Sequence, residues 1–86
     1  MSILDVVKSF NNGATSGKAS GGRVRIEGAF LINYNTVIAE RVSGGGVRLN
    51  VRKYSRTTSK LQSKIKYYCN VVEEYEGEPA TIYYYW

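Results

Sequence analysis

VIAERVSGGGVRLNVRKYSRTTSKLQSKIKYYCNVV, residues 37–72, changes its hydrophobic period once, and that change sets the fold class. Ser43-Gly-Gly-Gly46 is a turn signal between two β-prone arms, Val37 to Val42 and Val47 to Val51, which predicts a β-hairpin. In the second arm Val47, Leu49 and Val51 alternate with Arg48, Asn50 and Arg52, so one apolar and one basic face are expected. After Tyr54-Ser-Arg-Thr-Thr-Ser-Lys60 the spacing lengthens to three or four residues, through Leu61, Ile65, Tyr68 and Val72. This predicts a helix from about Thr58 to Val72, N-capped by Thr57 or Thr58, with Lys60, Lys64 and Tyr67 as a stripe beside the apolar face.

Upstream, Val24 and Ile26 alternate with Arg23, Arg25 and Glu27, the pattern of a half-buried strand. Gly28 reads as a bulge or bend before two β-prone runs, Ala29 to Ile32 and Thr36 to Ala39. Asn33-Tyr34-Asn35 between them reads as a turn or as part of one bent strand. Ser2 caps a short helix over residues 3–10, and Asp5 supplies the acidic group that favours a helix start. Residues 11–22 hold four glycines and no large apolar side chain, which predicts a flexible loop.

Downstream, Glu73, Glu74, Glu76 and Glu78 crowd a segment ending in Gly77 and Pro79, expected to be a solvated turn. A last strand is expected over residues 80–85, with Tyr83 and Tyr85 on one face. The fold class is therefore α+β. A small antiparallel sheet of three to four strands carries the 58–72 helix on one face, in a single domain of residues 1–86.

Hydrophobic residues make up 43% and charged residues 22% of the chain, ordinary values for a folded domain. No apolar run approaches the roughly 18 residues of a membrane span, and the first ten residues lack the order of a secretory signal. With a single cysteine, Cys69, unable to staple the fold, a cytoplasmic location and no membrane partner are expected. Cys69 lies among Tyr67, Tyr68, Val71 and Val72 and reads as a buried apolar residue.

Histidine is absent, which removes the commonest general acid and base near neutral pH and the commonest metal ligand. No catalytic residue, cofactor or metal is expected. Gly13 to Ser20 resembles a phosphate loop only loosely, because three residues separate Gly13 from Gly17 where four are needed and Ala19 follows Lys18. All twelve Lys and Arg lie within residues 1–70 against Asp5, Glu27 and Glu40, while the last four glutamates stand beyond. Such a basic body attracts phosphates or acidic surfaces through its field without choosing among them.

The candidate anion site is the join between strand and helix. Arg48, Arg52, Lys53, Arg56, Lys60 and Lys64 supply charge there, and Thr57, Thr58 and Ser59 supply hydroxyls at a helix start. Ordinary capping explains the hydroxyls equally well. Tyr83 and Tyr85 are candidate stacking groups if their face is open, since aromatics interleaved with cations suit unpaired nucleotides.

Tyr34-Asn-Thr-Val-Ile-Ala39, Val47-Arg-Leu-Asn50 and Tyr54-Ser-Arg-Thr-Thr-Ser-Lys60 with Gln62 together resemble a pattern in short uncharacterised bacteriophage proteins, over roughly residues 31–66. The resemblance implies a phage accessory protein without an established catalytic role, and by analogy an inhibitor of a host defence system such as a CRISPR effector. Three readings stay open. They are a non-catalytic binder of nucleic acid or a nucleoprotein complex, a homo-oligomeric sponge for an anionic signalling nucleotide, and a protein–protein adaptor or virion component.

Overall fold

The structure, a computed structural model, describes residues 2–77. Ser2 starts helix α1 (Ile3–Asn11) through a reciprocal box. Its hydroxyl accepts the Asp5 N–H at 3.1 Å, and the Asp5 carboxylate accepts the Ser2 N–H at 3.2 Å. The Ser2 backbone N–H, with a smaller part from the Ser2 hydroxyl, holds the Asp5 carboxyl below its ordinary range. Val6, Val7 and Phe10 then fall on one face and are buried.

From there the chain is a meander. Strands β1 (Ser16–Ala19), β2 (Val24–Glu27), β3 (Phe30–Asn33), β4 (Thr36–Arg41) and β5 (Val47–Asn50) each run antiparallel to the one before. Strand β6 (Val71–Tyr75) adds to β5 in parallel, so the chain must cross over between them, and helix α2 (Arg56–Tyr68) is that crossover. The helices touch each other on one face of the sheet, α1 over β1 and β2 and α2 over β5. Between helices and sheet lies one core, with Phe10, Ile26, Leu31, Ile38, Leu49 and Ile65 among its members.

The α+β class and the β4–β5 hairpin agree with expectation, but among the described residues the sheet has six strands, not three to four, and is mixed rather than wholly antiparallel. Both extra strands are edges whose composition hides them. β1 lies inside the glycine-rich stretch taken for a flexible loop and needs one apolar contact, Ala19 beside Val24. β6 contains Glu73 and Glu74, so the first part of the expected acidic turn is strand, and the helix expected to reach Val72 stops at Tyr68. Cys69 leaves helical geometry at φ −109° and ψ 158°, and Val72 stands exposed on β6. The start of α2 also differs, because Ser55 is the N-cap, ahead of Thr57 and Thr58.

A bulge accounts for the apolar run in β4. Leu31 pairs with Ala39 and Ile32 with Val37, which leaves Ile38 as the extra residue and buries both Ile38 and Ala39. Tyr34 takes a left-handed φ of 57°, so Asn33-Tyr34-Asn35 is a turn and not a bent strand. Gly46 closes the hairpin at φ +99°, where a Cβ would also lie 2.5 Å from the Val72 side chain. The strand expected over residues 80–85, with Tyr83 and Tyr85, lies outside the described residues. No helix among those described is long and apolar enough to cross a membrane.

Arg41 locks the first half of the fold. Its guanidinium donates to the carbonyls of Phe10 (2.9 Å), Ala14 (2.7 Å) and Gly28 (2.8 Å), and it stacks 4.7 Å from the Phe10 ring centre. The cation thereby meets the carbonyl end of α1, the approach to β1 and the β2–β3 turn with one planar fork. A lysine ammonium cannot span the three carbonyls. Arg41→Lys is therefore expected to lower stability by about 1–3 kcal/mol in urea unfolding, with α1 amides losing exchange protection first.

Cys69 is buried, and its thiol contacts the Val7 carbonyl at 3.9 Å. Burial pushes the thiol up to about 11. Between the unfolded thiol range and that value the folded state retains a proton the unfolded state has lost, so this group makes stability fall as pH rises through that window. A thiol reagent at pH 8 is expected to label Cys69 only on addition of denaturant, and rapid labelling of the native protein would contradict its burial.

Candidate polyanion interface

The position of α2 is set by buried polar groups at its N-terminal end. Asn50, 1% exposed, uses its whole amide: Nδ2 donates to the Val37 carbonyl (3.1 Å) and the Tyr54 hydroxyl (2.9 Å). Its Oδ1 accepts the Arg52 N–H (3.0 Å) and the Gly77 N–H (2.9 Å). Gln62 reaches back from α2 and donates to the carbonyls of Asn50 (2.7 Å) and Arg52 (2.8 Å), so the helix is tied to the strand that precedes it.

The hydroxyl cluster belongs to the helix start. Ser55 Oγ accepts the Thr58 N–H at 3.2 Å and donates to Thr58 Oγ1 at 3.1 Å. Thr58 Oγ1 also accepts from Asn33 Nδ2 at 2.7 Å, and Thr58 is only 5% exposed. Its hydroxyl faces the sheet, whereas Thr57 is exposed and Ser59 half-buried on the outer side.

Outside this anchor the cations of residues 48–66 part into two sets. Arg48 lies on the uncovered sheet face between Glu40 (3.1 Å) and Glu73 (3.2 Å), with its guanidinium 4.7 Å from the Tyr75 ring centre. Burial pushes the Tyr75 hydroxyl up, partly offset by that guanidinium. Arg52 donates to the Gly77 carbonyl at 3.2 Å. Arg25 pairs with Glu27, and Lys66 with Glu74 at 3.3 Å. Asn50, expected beside Arg48 and Arg52 on a basic face, is instead sealed within the polar network.

Lys53, Arg56, Lys60 and Lys64 form the second set. A depression of about 440 Å3 is bounded by Lys53, Tyr54, Arg56, Ser59 and Lys60. It continues, past Ser59 and Lys60, into an open groove of about 510 Å3 between Ser63, Lys64, Tyr67 and Tyr68. Among the described residues none of these four cations lies within ion-pair distance of a carboxylate. The outer side of α2 thus carries a positive row without a carboxylate partner among the described residues, and the helix contains no acidic residue.

Of the residues singled out in the sequence, Lys53, Arg56, Ser59, Lys60 and Lys64 are brought together, Thr57 stands exposed on the same helix start, and Thr58, Arg48 and Arg52 are engaged elsewhere. Asn50 and Gln62 carried no signal beyond their polarity, although both position the row. Among the described residues no group of three Cys, Asp or Glu side chains is arranged to hold a metal. Compared with protein-family models, curated proteins and solved structures, the chain matches none of them.

Gly77 passes so close to Asn50 that a Cβ there would lie 2.2 Å from its amide nitrogen, and four hydrogen bonds keep that amide from yielding. Gly77→Ala is expected to cost about 1–3 kcal/mol by overpacking. Asn50→Ala, which strands several buried partners, is expected to cost about 2–4 kcal/mol. Urea unfolding of each variant checks the values, and early amide exchange at residues 56–62 would identify α2 as the element released.

Proposed function

We propose that this chain is a non-catalytic binder of a polyanionic target, nucleic acid or a nucleoprotein complex, and that the outer side of α2 is its contact surface. The observation that carries the reading is the sorting of charge. Lys53, Arg56, Lys60 and Lys64 line one continuous surface without an acidic partner among the described residues, while Arg25, Arg48 and Lys66 are each paired; Lys8, Lys18 and Arg23 also lack a carboxylate partner but do not line that surface. A row of like charges along one helix repels itself and gains by contact with closely spaced phosphates, whose counterions it displaces. Thr57 and Ser59 flank the row as neutral donors.

The resemblance to phage proteins supports a role as an accessory protein acting inside an infected cell, on a host defence nucleoprotein such as a CRISPR effector. An anionic nucleotide is a less suitable occupant, because the depression beside Lys53 and Arg56 is open and one chain encloses little of it.

Neutralising the row is the direct test. Arg56→Gln, Lys60→Gln and Lys64→Gln in one chain should fold normally, since all three side chains lie outside the core. Gel shifts over a salt series should give the wild type a slope of log affinity against log salt of about −2 to −3 on single strands, as for three or four phosphate contacts. The triple variant should lose most of both affinity and slope. Binding that survives in the variant, or that ignores salt, sinks the reading.

A further inference from the structure

Resting on the proposal that α2 contacts a polyanion, we infer that the polyanion is a single-stranded nucleic acid and that Tyr67 is the platform on which one of its bases stacks. Tyr67 is 81% exposed, an unusual position for so large a ring, and it lines the same groove as Lys60 and Lys64. Its orientation is supported from below. The ring meets Tyr68 edge-to-face with centroids 4.8 Å apart at 68°, and the Lys8 ammonium of α1 sits 5.2 Å from the Tyr68 ring centre. Tyr67 is thus an outward-turned aromatic surface whose ring contact is the edge of Tyr68.

The spacing fits an unpaired strand. Arg56, Lys60 and Lys64 recur every four residues, so successive charges advance about 6 Å along the helix axis, a ladder for consecutive phosphates with the ring at its C-terminal end. A duplex keeps its bases stacked inward and offers a protein ring no base face, whereas an unpaired nucleotide offers both. A protein partner in the same groove would be met by apolar anchors at helical intervals, and this flank of α2 instead presents the adjacent pair Tyr67 and Tyr68 among two serines and two lysines.

The test uses the full chain and fluorescence anisotropy with a labelled oligothymidylate, its duplex with oligoadenylate, and heparin as a polyanion without bases. The single strand should bind about ten-fold or more tightly than the duplex. Tyr67→Ala should weaken single-strand binding by about ten-fold while leaving the salt slope unchanged, and Tyr67→Phe, which keeps the ring, should restore it. Tyr67→Ala binding as tightly as wild type, or duplex and heparin binding as tightly as the single strand, overturns the stacking inference and leaves the polyanion reading standing. Failure of all three probes to bind at low salt overturns both. The exposure of Tyr67 makes loss of folding in its variants easy to exclude by circular dichroism.

Discussion

Asn50 is the point on which the second half of the molecule depends. One buried amide ties the β4 backbone at Val37, the Tyr54 hydroxyl, the exit from β5 at Arg52 and the segment after β6 at Gly77. Because every donor and acceptor of that amide is used, no alternative arrangement satisfies the same groups at equal cost, and the network specifies as well as stabilises. A parallel β5–β6 pair needs a crossover whose two ends are both fixed. Asn50 fixes the start of that crossover, and Gln62 fixes the first turns of α2 to the same backbone. The cationic row inherits its position from these bonds.

The uncovered face of the sheet and the outer side of α2 carry opposite electrostatic arrangements. On the uncovered face, charges alternate in sign across neighbouring strands, Glu40 beside Arg48 beside Glu73, so the cation is neutralised where it stands. On the outer side of α2 the sequence Arg-Thr-Thr-Ser-Lys-Leu-Gln-Ser-Lys supplies cations and hydroxyls with no acid. Of the four glutamates that the sequence groups beyond residue 70, Glu73 and Glu74 lie in β6, where they meet Arg48 and Lys66. Net charge alone conceals this division, because paired and unpaired cations count equally in it.

What the sequence conveyed was local period. The α1 cap, the β4–β5 hairpin and the stripe of Lys60, Lys64 and Tyr67 follow from spacing within a few residues, and each matches the structure. What it did not convey depends on partners distant in the chain. Ser16 to Ala19 become a strand because β2 supplies the ladder, and Gly17 costs less at an edge than in the middle of a sheet. Val71 to Tyr75 become a strand because β5 lies beside them, although Glu73 and Glu74 read as a turn. Asn50 sits in an alternating run as if it faced water, and only the approach of Gly77 and Tyr54 buries it. Thr58 read as a ligand for phosphate, and only the proximity of Asn33 across 25 positions shows where its hydroxyl goes.

The helix start runs against its own electrostatics. Arg56 occupies the first helical position and Lys60 the next turn, where the positive end of the helix dipole favours acids, and no acidic residue stands in the first turn. A cation in the first turn, as Arg56 is, costs about 0.3–1 kcal/mol at most, and the mutual repulsion of Arg56, Lys60 and Lys64 at four-residue intervals adds to it. The Ser55 cap, the Asn33 bond to Thr58 and the two Gln62 bonds offset that cost by interactions on the opposite side of the helix. Stabilisation facing inward and like charge facing outward is the division that the proposed polyanion contact calls for, whereas a helix selected for stability alone would carry acids in its first turn.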